Sequence, residues 1–302
     1  REKLAAGYDA TRSCVLICGG TGCRAGRSLP VAAAFREVLK ARSLQDKVEV
    51  RFTGCHGFCE QGPLVVLKPS GVLYVKVTPE DIEEIVTTSI EGDGVIEKLT
   101  YRDPVTKKRV NREQDLPFYA NQQRIVFAKS GRVDPTNIND YIAADGYASL
   151  GKVLQSMSPD EVIDCLKRSG LRGRGGGGFA TGRKWRACRK AEGHPKYVLC
   201  NGDEGDPGAF MDRSIIESDP HSVLEGMAIG AYAIGAEQGY VYIREEYPLA
   251  MKRLYIAIDQ AREYGLLGQG ILGAGLNFDV TVHRGAGAFV CGEETSLISS
   301  LE

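Results

Sequence analysis

Four cysteines constrain this chain more than any other feature: Cys18 and Cys23 in one short loop, Cys55 and Cys59 in another. Each pair directly follows a stretch that reads as a β-strand. Residues 14–18 (CVLIC) are short, apolar and stopped by glycines, and residues 48–52 (VEVRF) alternate with period two. If the strands are neighbours, both loops lie at the same end and four thiolates converge. Glycines at 19, 20, 22, 54, 57 and 62 would let the backbone turn tightly and aim N–H groups at sulfur. Three chemistries fit this spacing: a structural zinc ion, an iron–sulfur cluster on four cysteines, or two unconnected buried thiol pairs.

The compartment bears on that choice. The N-terminal REKLAAGYDATRS has no signal-peptide apolar stretch, and no run in the chain approaches the length of a membrane span. The chain opens on Arg1 rather than Met, which reads as a start lying upstream. The chain reads as cytoplasmic with no direct membrane span, and there patterned cysteines serve metals or catalysis rather than disulfides. Of the nine cysteines, Cys14 reads as a small core residue and Cys165, Cys188, Cys200 and Cys291 as core or loop thiols. His56 reads as a solvent-facing loop residue rather than a further ligand. A net charge of −1 gives no sign of a nucleic-acid partner.

At 302 residues the chain has room for two domains. The first, residues 1–92, has the order β-α-β-β-β-α. Its first helix places apolar residues at 31, 34, 35, 38 and 39, two strands flank the turn at 68–71, and Thr78-Pro79 opens the last helix. Residues 93–150 form a connector and arm. YRDPVTKKRVNREQDLP carries charges of both signs and reads as a solvated linker. NQQRIVFAKSGRVDPTNINDYIAADGYASLGKVLQ reads as a strand followed by short helices. Residues 151–302 form an α/β domain, opened by a helix that Ser158, Pro159 and Glu161 start and Gly170 ends.

The glycine-rich RGRGGGGFATGRKW follows that helix. Gly173-Arg-Gly175-Gly-Gly-Gly178 spells G-x-G-x-x-G, but a helix rather than a strand precedes it, so the dinucleotide-binding reading fails. Arg183-Lys184-Trp185 after Gly182 breaks the P-loop pattern too. What remains is a glycine-walled concavity with fixed positive charge and two aromatics, Phe179 and Trp185, suited to a planar ring and a phosphate. A strand at 197–200 then leads into Asn201, Asp203, Glu204 and Asp206. These acids would cap helices, bind a cation, or accept hydrogen bonds from ring or sugar groups. After a helix, a strand at 239–243, a second helix and a further strand comes Gly292-Glu293-Glu294, whose acids suit a helix N-terminus by capping alone.

Two resemblances narrow these readings. CGGTGC…TGCHGFCEQGP resembles the thioredoxin-like [2Fe–2S] ferredoxins, from Cys14 to about residue 90. The resemblance implies Cys18, Cys23, Cys55 and Cys59 as cluster ligands. LRGRGGGGFATGRKW, CNGDEGDPGAFMDRS, VYIREEYPLA and GAGAFVCGEETSLISSLE resemble the flavin- and NADH-binding subunit of respiratory complex I, the 51 kDa type. They are closer still to its relatives in NAD-linked hydrogenases and formate dehydrogenases. The ferredoxin domain fused in front is typical of those relatives.

That second resemblance implies an FMN site at Gly173, Arg174, Gly175, Gly176 and Lys184, with Asn201, Asp203 and Glu204 on the flavin or its ribityl chain. Gly292, Glu293 and Glu294 would close the site, Phe179 would stack near NADH, and Asp206 would hold its ribose. Asp206, Ala187 and Phe289 depart from the Glu, Phe and Tyr common in the family, which bears on NAD(H) affinity more than on FMN. The implied activity is NADH oxidation or NAD reduction. NADH gives a hydride to FMN, and electrons leave singly to iron–sulfur centres here or in partner subunits. No side chain need act as acid or base. The partners implied are iron–sulfur subunits of a hydrogenase, formate dehydrogenase or other reductase, with electron bifurcation among the family's activities. The competing reading is an electron-carrier or scaffold subunit with an empty flavin site. The family continues past the position of Glu302 into a region with a [4Fe–4S] site, so the chain reads as the N-terminal part of a longer subunit.

Overall fold

The computed structural model describes residues 13–302; the first twelve residues, counted above with the 1–92 domain, lie outside the described residues. The chain divides into two compact units. The first runs to Ala144 and takes in Glu217–Asp219, and the second comprises Asp145–Ile216 and Pro220–Glu302.

In the first unit, strands β1 (Cys14–Cys18), β2 (Glu49–Thr53), β3 (Val65–Lys68) and β4 (Leu73–Tyr74) form one sheet in the order β2-β1-β3-β4. The β1–β2 pair is parallel, with Cys18 opposite Thr53, and the other pairs are antiparallel. The two strands feeding the cysteine loops therefore end side by side. Helix Ser28–Ala41 buries Val31, Ala32, Phe35 and Leu39. These pack with Val15, Ile17, Val65 and Leu67 from the sheet. Apolar residues at helical spacing thus meet the inward positions of period-two strands. Thr78 and Asp81 close a capping box at the start of the last helical run, which stabilises its first turn.

The charged segment read as a solvated linker is folded instead. Strands β5 (Tyr101–Arg102) and β6 (Arg109–Val110) pair as a hairpin. Leu116 is fully buried, and Tyr101, Val110 and Tyr119 pack on the group containing Leu16, Cys18, Cys23 and Leu64. A few apolar residues set among many charges carry the burial, too sparse to produce a period. The strand expected near residue 125 is a run of turns, while the expected short helices occur at Ile138–Ala143 and Ala148–Ser156.

In the second unit, strands β7 (Tyr197–Gly202), β8 (Gln238–Arg244), β9 (Gly268–Ile271) and β10 (Leu276–Gly285) form a sheet in the order β7-β8-β10-β9. β7, β8 and β10 run parallel, and β9 is antiparallel to β10. Helices Pro220–Ile234 and Pro248–Glu263 make the crossovers, as parallel neighbours require. Helix Pro159–Ser169 has the anticipated capping box at Ser158 and Glu161, and Gly170 ends it at φ 69°. Helix Thr181–Lys190 follows the glycine loop and packs on that helix. A Cβ at Gly182 would come within 2.8 Å of the Lys167 backbone nitrogen.

Candidate functional site

The cysteine site is built at the carboxyl ends of β1 and β2. Cys18 and Cys23 are buried, Cys55 is half-buried and Cys59 exposed. Cys55 Sγ and Cys59 Sγ lie 3.9 Å apart, and Cys18 hydrogen-bonds both Cys23 and Cys55. These hydrogen bonds push the Cys18 thiol up and pull Cys23 and Cys55 down. The opposite signs follow from sulfurs sharing protons, which a bound metal centre would displace. Three glycines make the approach possible. A Cβ would meet Cys55 Cβ at 2.9 Å from Gly20, Cys59 Sγ at 3.2 Å from Gly22 and Cys23 Sγ at 2.7 Å from Gly62. The Gly57 N–H donates to Cys55 Sγ at 3.3 Å.

Among the described residues no three His, Cys, Asp or Glu side chains are placed to hold one metal ion. A two-iron cluster needs only two protein sulfurs per iron, with inorganic sulfide completing each. The donor set, two cysteines from each of two adjacent loops, fits the cluster.

His56 is a correction. Its side chain is 1% exposed, with Nδ1 3.0 Å from Glu113 Oε1 and Nε2 3.0 Å from Thr53 Oγ1. The carboxylate can only accept, so Nδ1 carries the proton and the Thr53 hydroxyl can donate to Nε2. His56 is a satisfied core histidine that braces the loop between two of the cysteines.

The second site lies in the other unit, outside the carboxyl ends of β7, β8 and β10, where open parallel sheets bind ligands. The glycine loop is pinched shut at its base: Gly173 N donates to Phe179 O at 2.9 Å, and Arg172 Nε donates to Gly178 O at 2.6 Å. Within it, a Cβ added at Gly175, Gly176 or Gly177 would meet nothing within 4 Å, and Gly176 and Gly178 have φ of 107° and 57°. Positive φ accounts for Gly176 and Gly178. Neither packing nor φ accounts for Gly175 and Gly177, whose Cα atoms border open space. The loop also runs into the N-terminus of a ten-residue helix, a favourable place for a phosphate.

Asn201, Asp203 and Gly292 come together on the facing side. Asn201 Nδ2 donates to Gly292 O at 2.8 Å, Asp203 N donates to Asn201 Oδ1 at 3.1 Å, and a Cβ at Gly292 would meet Asp203 O at 3.0 Å. The Asp203 side chain is fully buried, with Arg244 Nη1 3.7 Å from Oδ2. Neither Asp203 carboxylate oxygen has a hydrogen-bond partner among the described residues. Burial raises its carboxyl and Arg244 opposes. A buried carboxylate lacking donors is costly, and a ligand N–H or O–H would satisfy it.

The other anticipated residues divide. Lys184 forms an ion pair with Glu294, joining the glycine-loop helix to the last helix. Glu293 caps that last helix, its carboxylate accepting from Thr295 N and Ser296 N. Glu204 accepts from Met211 N at 2.7 Å and Arg213 N at 3.2 Å. Capping thus occupies both carboxylates. Phe179 is 53% exposed, with the Arg183 guanidinium 5.7 Å from its ring centroid. Arg174 and Asp206 sit on the exposed loops. Trp185 is not a pocket aromatic. It packs with Val153, Val162, Ile163 and Ala233, against Gly230. Two residues went unread in the sequence: Arg244, at the end of β8, and Asp212, whose carboxyl burial and Glu204 push up to about 6.

Residues 166–302 match the Nuo51 FMN-binding domain. The chain is 61% identical over 181 residues to the NADP-reducing hydrogenase protein HndC of Solidesulfovibrio fructosivorans, covering 60% of this chain and 36% of that protein. It is 56% identical over 165 residues to an NADH-quinone oxidoreductase subunit of Rhizobium meliloti, covering 55% and 39%. The chain thus spans 36–39% of the length of these curated relatives. The thioredoxin-like [2Fe–2S] ferredoxin of Aquifex aeolicus aligns with 29% of this chain and 93% of its own, at 33% identity and a TM-score of 0.27.

Proposed function

Because residues 166–302 match the Nuo51 FMN-binding domain, we propose that this chain is part of an NADH-oxidising or NAD-reducing flavoprotein subunit of a multi-subunit iron–sulfur oxidoreductase. The observation that carries this reading is the meeting of the glycine loop's helix, the Asn201–Asp203 turn and Gly292–Glu294 over the carboxyl ends of the parallel strands. Bound FMN would supply the conversion between two-electron nicotinamide chemistry and one-electron iron–sulfur chemistry.

The protein's part is binding and orientation. Gly173, Arg174, Gly175 and Gly176 give the ligand a wall without side-chain bulk, and Lys184 and the helix N-terminus favour its phosphate. Asn201 and the buried Asp203 fix the polar edge of the ring system, with Gly292, Glu293 and Glu294 closing the far side. Glu204 acts at one remove, because its carboxylate holds the helix after the loop. Phe179 and Asp206, both on the open side, are assigned to NADH. Cys18, Cys23, Cys55 and Cys59 hold a [2Fe–2S] cluster. The partners are further iron–sulfur subunits of a soluble hydrogenase, formate dehydrogenase or related reductase of the cytoplasm. Among the described residues no helix is long and apolar enough to cross a membrane.

Flavin, iron and acid-labile sulfide analysis of the purified protein tests the assignment. One FMN and two irons with two sulfides in this chain are expected. A protein with iron and sulfide but no flavin would instead be an electron carrier, and zinc in place of iron would overturn the cluster.

A further inference from the structure

Residues 113–124 grip the Cys55–Cys59 loop from one side. Glu113 holds the His56 ring, and Arg124 Nη2 donates to the His56 carbonyl at 2.9 Å. The Arg124 guanidinium also lies 4.7 Å from the centroid of the Tyr119 ring. Phe58, the residue before Cys59, meets the same ring edge-on at 5.9 Å and stacks on Phe118 at 4.8 Å. Tyr119 is therefore held between Phe58 and Arg124. It packs on the buried group that contains Cys18 and Cys23.

Its hydroxyl is anomalous. The oxygen is buried and has no hydrogen-bond partner among the described residues. A buried hydroxyl without a partner costs about 1–3 kcal/mol, and phenylalanine would fill the same space without it. Burial first, and then the Glu113 carboxylate, push the phenol well above its ordinary range, and Arg124 opposes. The ring that carries this hydroxyl packs on the group holding Cys18 and Cys23 and on Phe58, next to Cys59.

We infer that Tyr119 donates its hydroxyl hydrogen bond to a sulfur of the [2Fe–2S] cluster held by Cys18, Cys23, Cys55 and Cys59, and so sets the cluster's reduction potential. The inference rests on the cluster assignment above. Adding an electron places more negative charge on the sulfurs, so a donor there stabilises the reduced form more than the oxidised one. Tyr119 contributes no ligand; its role is to tune the centre through one hydrogen bond.

The test is a redox titration of the iron-loaded full-length protein, wild type against Tyr119→Phe, followed by the cluster's electron paramagnetic resonance signal. At a fixed applied potential the reduced fraction should fall about tenfold in equilibrium constant, a downward shift of about 59 mV for a one-electron couple. An exchangeable-proton coupling to the reduced cluster, removed by deuterium oxide, should be present in wild type and missing in the variant. Equal potentials and equal couplings in two proteins of equal iron and sulfide content would overturn the inference while leaving the cluster assignment standing. Absence of iron and sulfide from the wild type would remove both. Should Y119F fail to hold iron, fluorotyrosine at position 119 keeps the ring and strengthens the donor. It should then raise the potential, and an unchanged value would again overturn the inference.

Discussion

Two buried polar side chains show how differently single residues report on function. His56 is fully satisfied by Thr53 and Glu113; its work is to hold a loop. His56→Ala should destabilise the first unit by about 1–3 kcal/mol, since it strands two partners and opens a cavity beside the cysteines. Denaturant titration reads this, and an unchanged midpoint would refute the bracing role. Asp203 is buried beside Arg244 without a hydrogen-bond donor among the described residues, and a bound ligand is assigned to supply that donor. Asp203→Ala should therefore lower FMN affinity about tenfold or more while costing the fold little. Retention of FMN at the wild-type level would exclude Asp203 from the site. Asp203 is legible in the sequence through its run of acids and glycines. His56 is not, because the partner that buries it, Glu113, lies in a segment whose charges read as solvent-facing.

At the level of elements, the glycine loop separates two roles for the same residue type. Gly182 has its place because a Cβ would strike the backbone of the neighbouring helix at Lys167. Gly182→Ala should cost about 1–3 kcal/mol through overpacking, seen as a lower unfolding midpoint. Gly175 and Gly177 face open space. Gly175→Ala should leave stability within about 0.5 kcal/mol and yet weaken FMN binding, by placing a methyl where the ligand must approach. A variant that binds FMN normally would return the loop to the status of a connector.

Capped helices and alternating strands are legible because their signals are local: Ser158, Pro159, Glu161 and Gly170 delimit one helix by themselves. The β5–β6 hairpin is not, because only Tyr101, Val110, Leu116 and Tyr119 are apolar enough to anchor it. Trp185 misleads for a related reason. Its position after the glycines suggests a pocket, and its contact with Gly230 comes from a distant helix.

For the molecule as a whole, acid should act through a buried histidine in the second unit. His221 is 1% exposed, with Nε2 3.2 Å from Gln260 Oε1 and Nδ1 3.0 Å from the Tyr147 hydroxyl. Burial pushes its pKa down to about 4, below the ordinary value of about 6.5. Between those limits the unfolded chain binds a proton that the folded chain does not. Stability is therefore undiminished above pH about 6.5 and falls as pH drops toward about 4, by about 3 kcal/mol in all. A His221→Gln variant should lose this part of the acid sensitivity. Identical pH profiles for variant and wild type would place the sensitivity elsewhere.

The central proposal is that this chain is part of the subunit where nicotinamide and iron–sulfur chemistry meet. An anaerobic absorbance titration of the purified complex with NADH tests it most directly. The account predicts bleaching of a flavin band together with a broad iron–sulfur band. Iron–sulfur absorbance without flavin, unmoved by NADH, would contradict it.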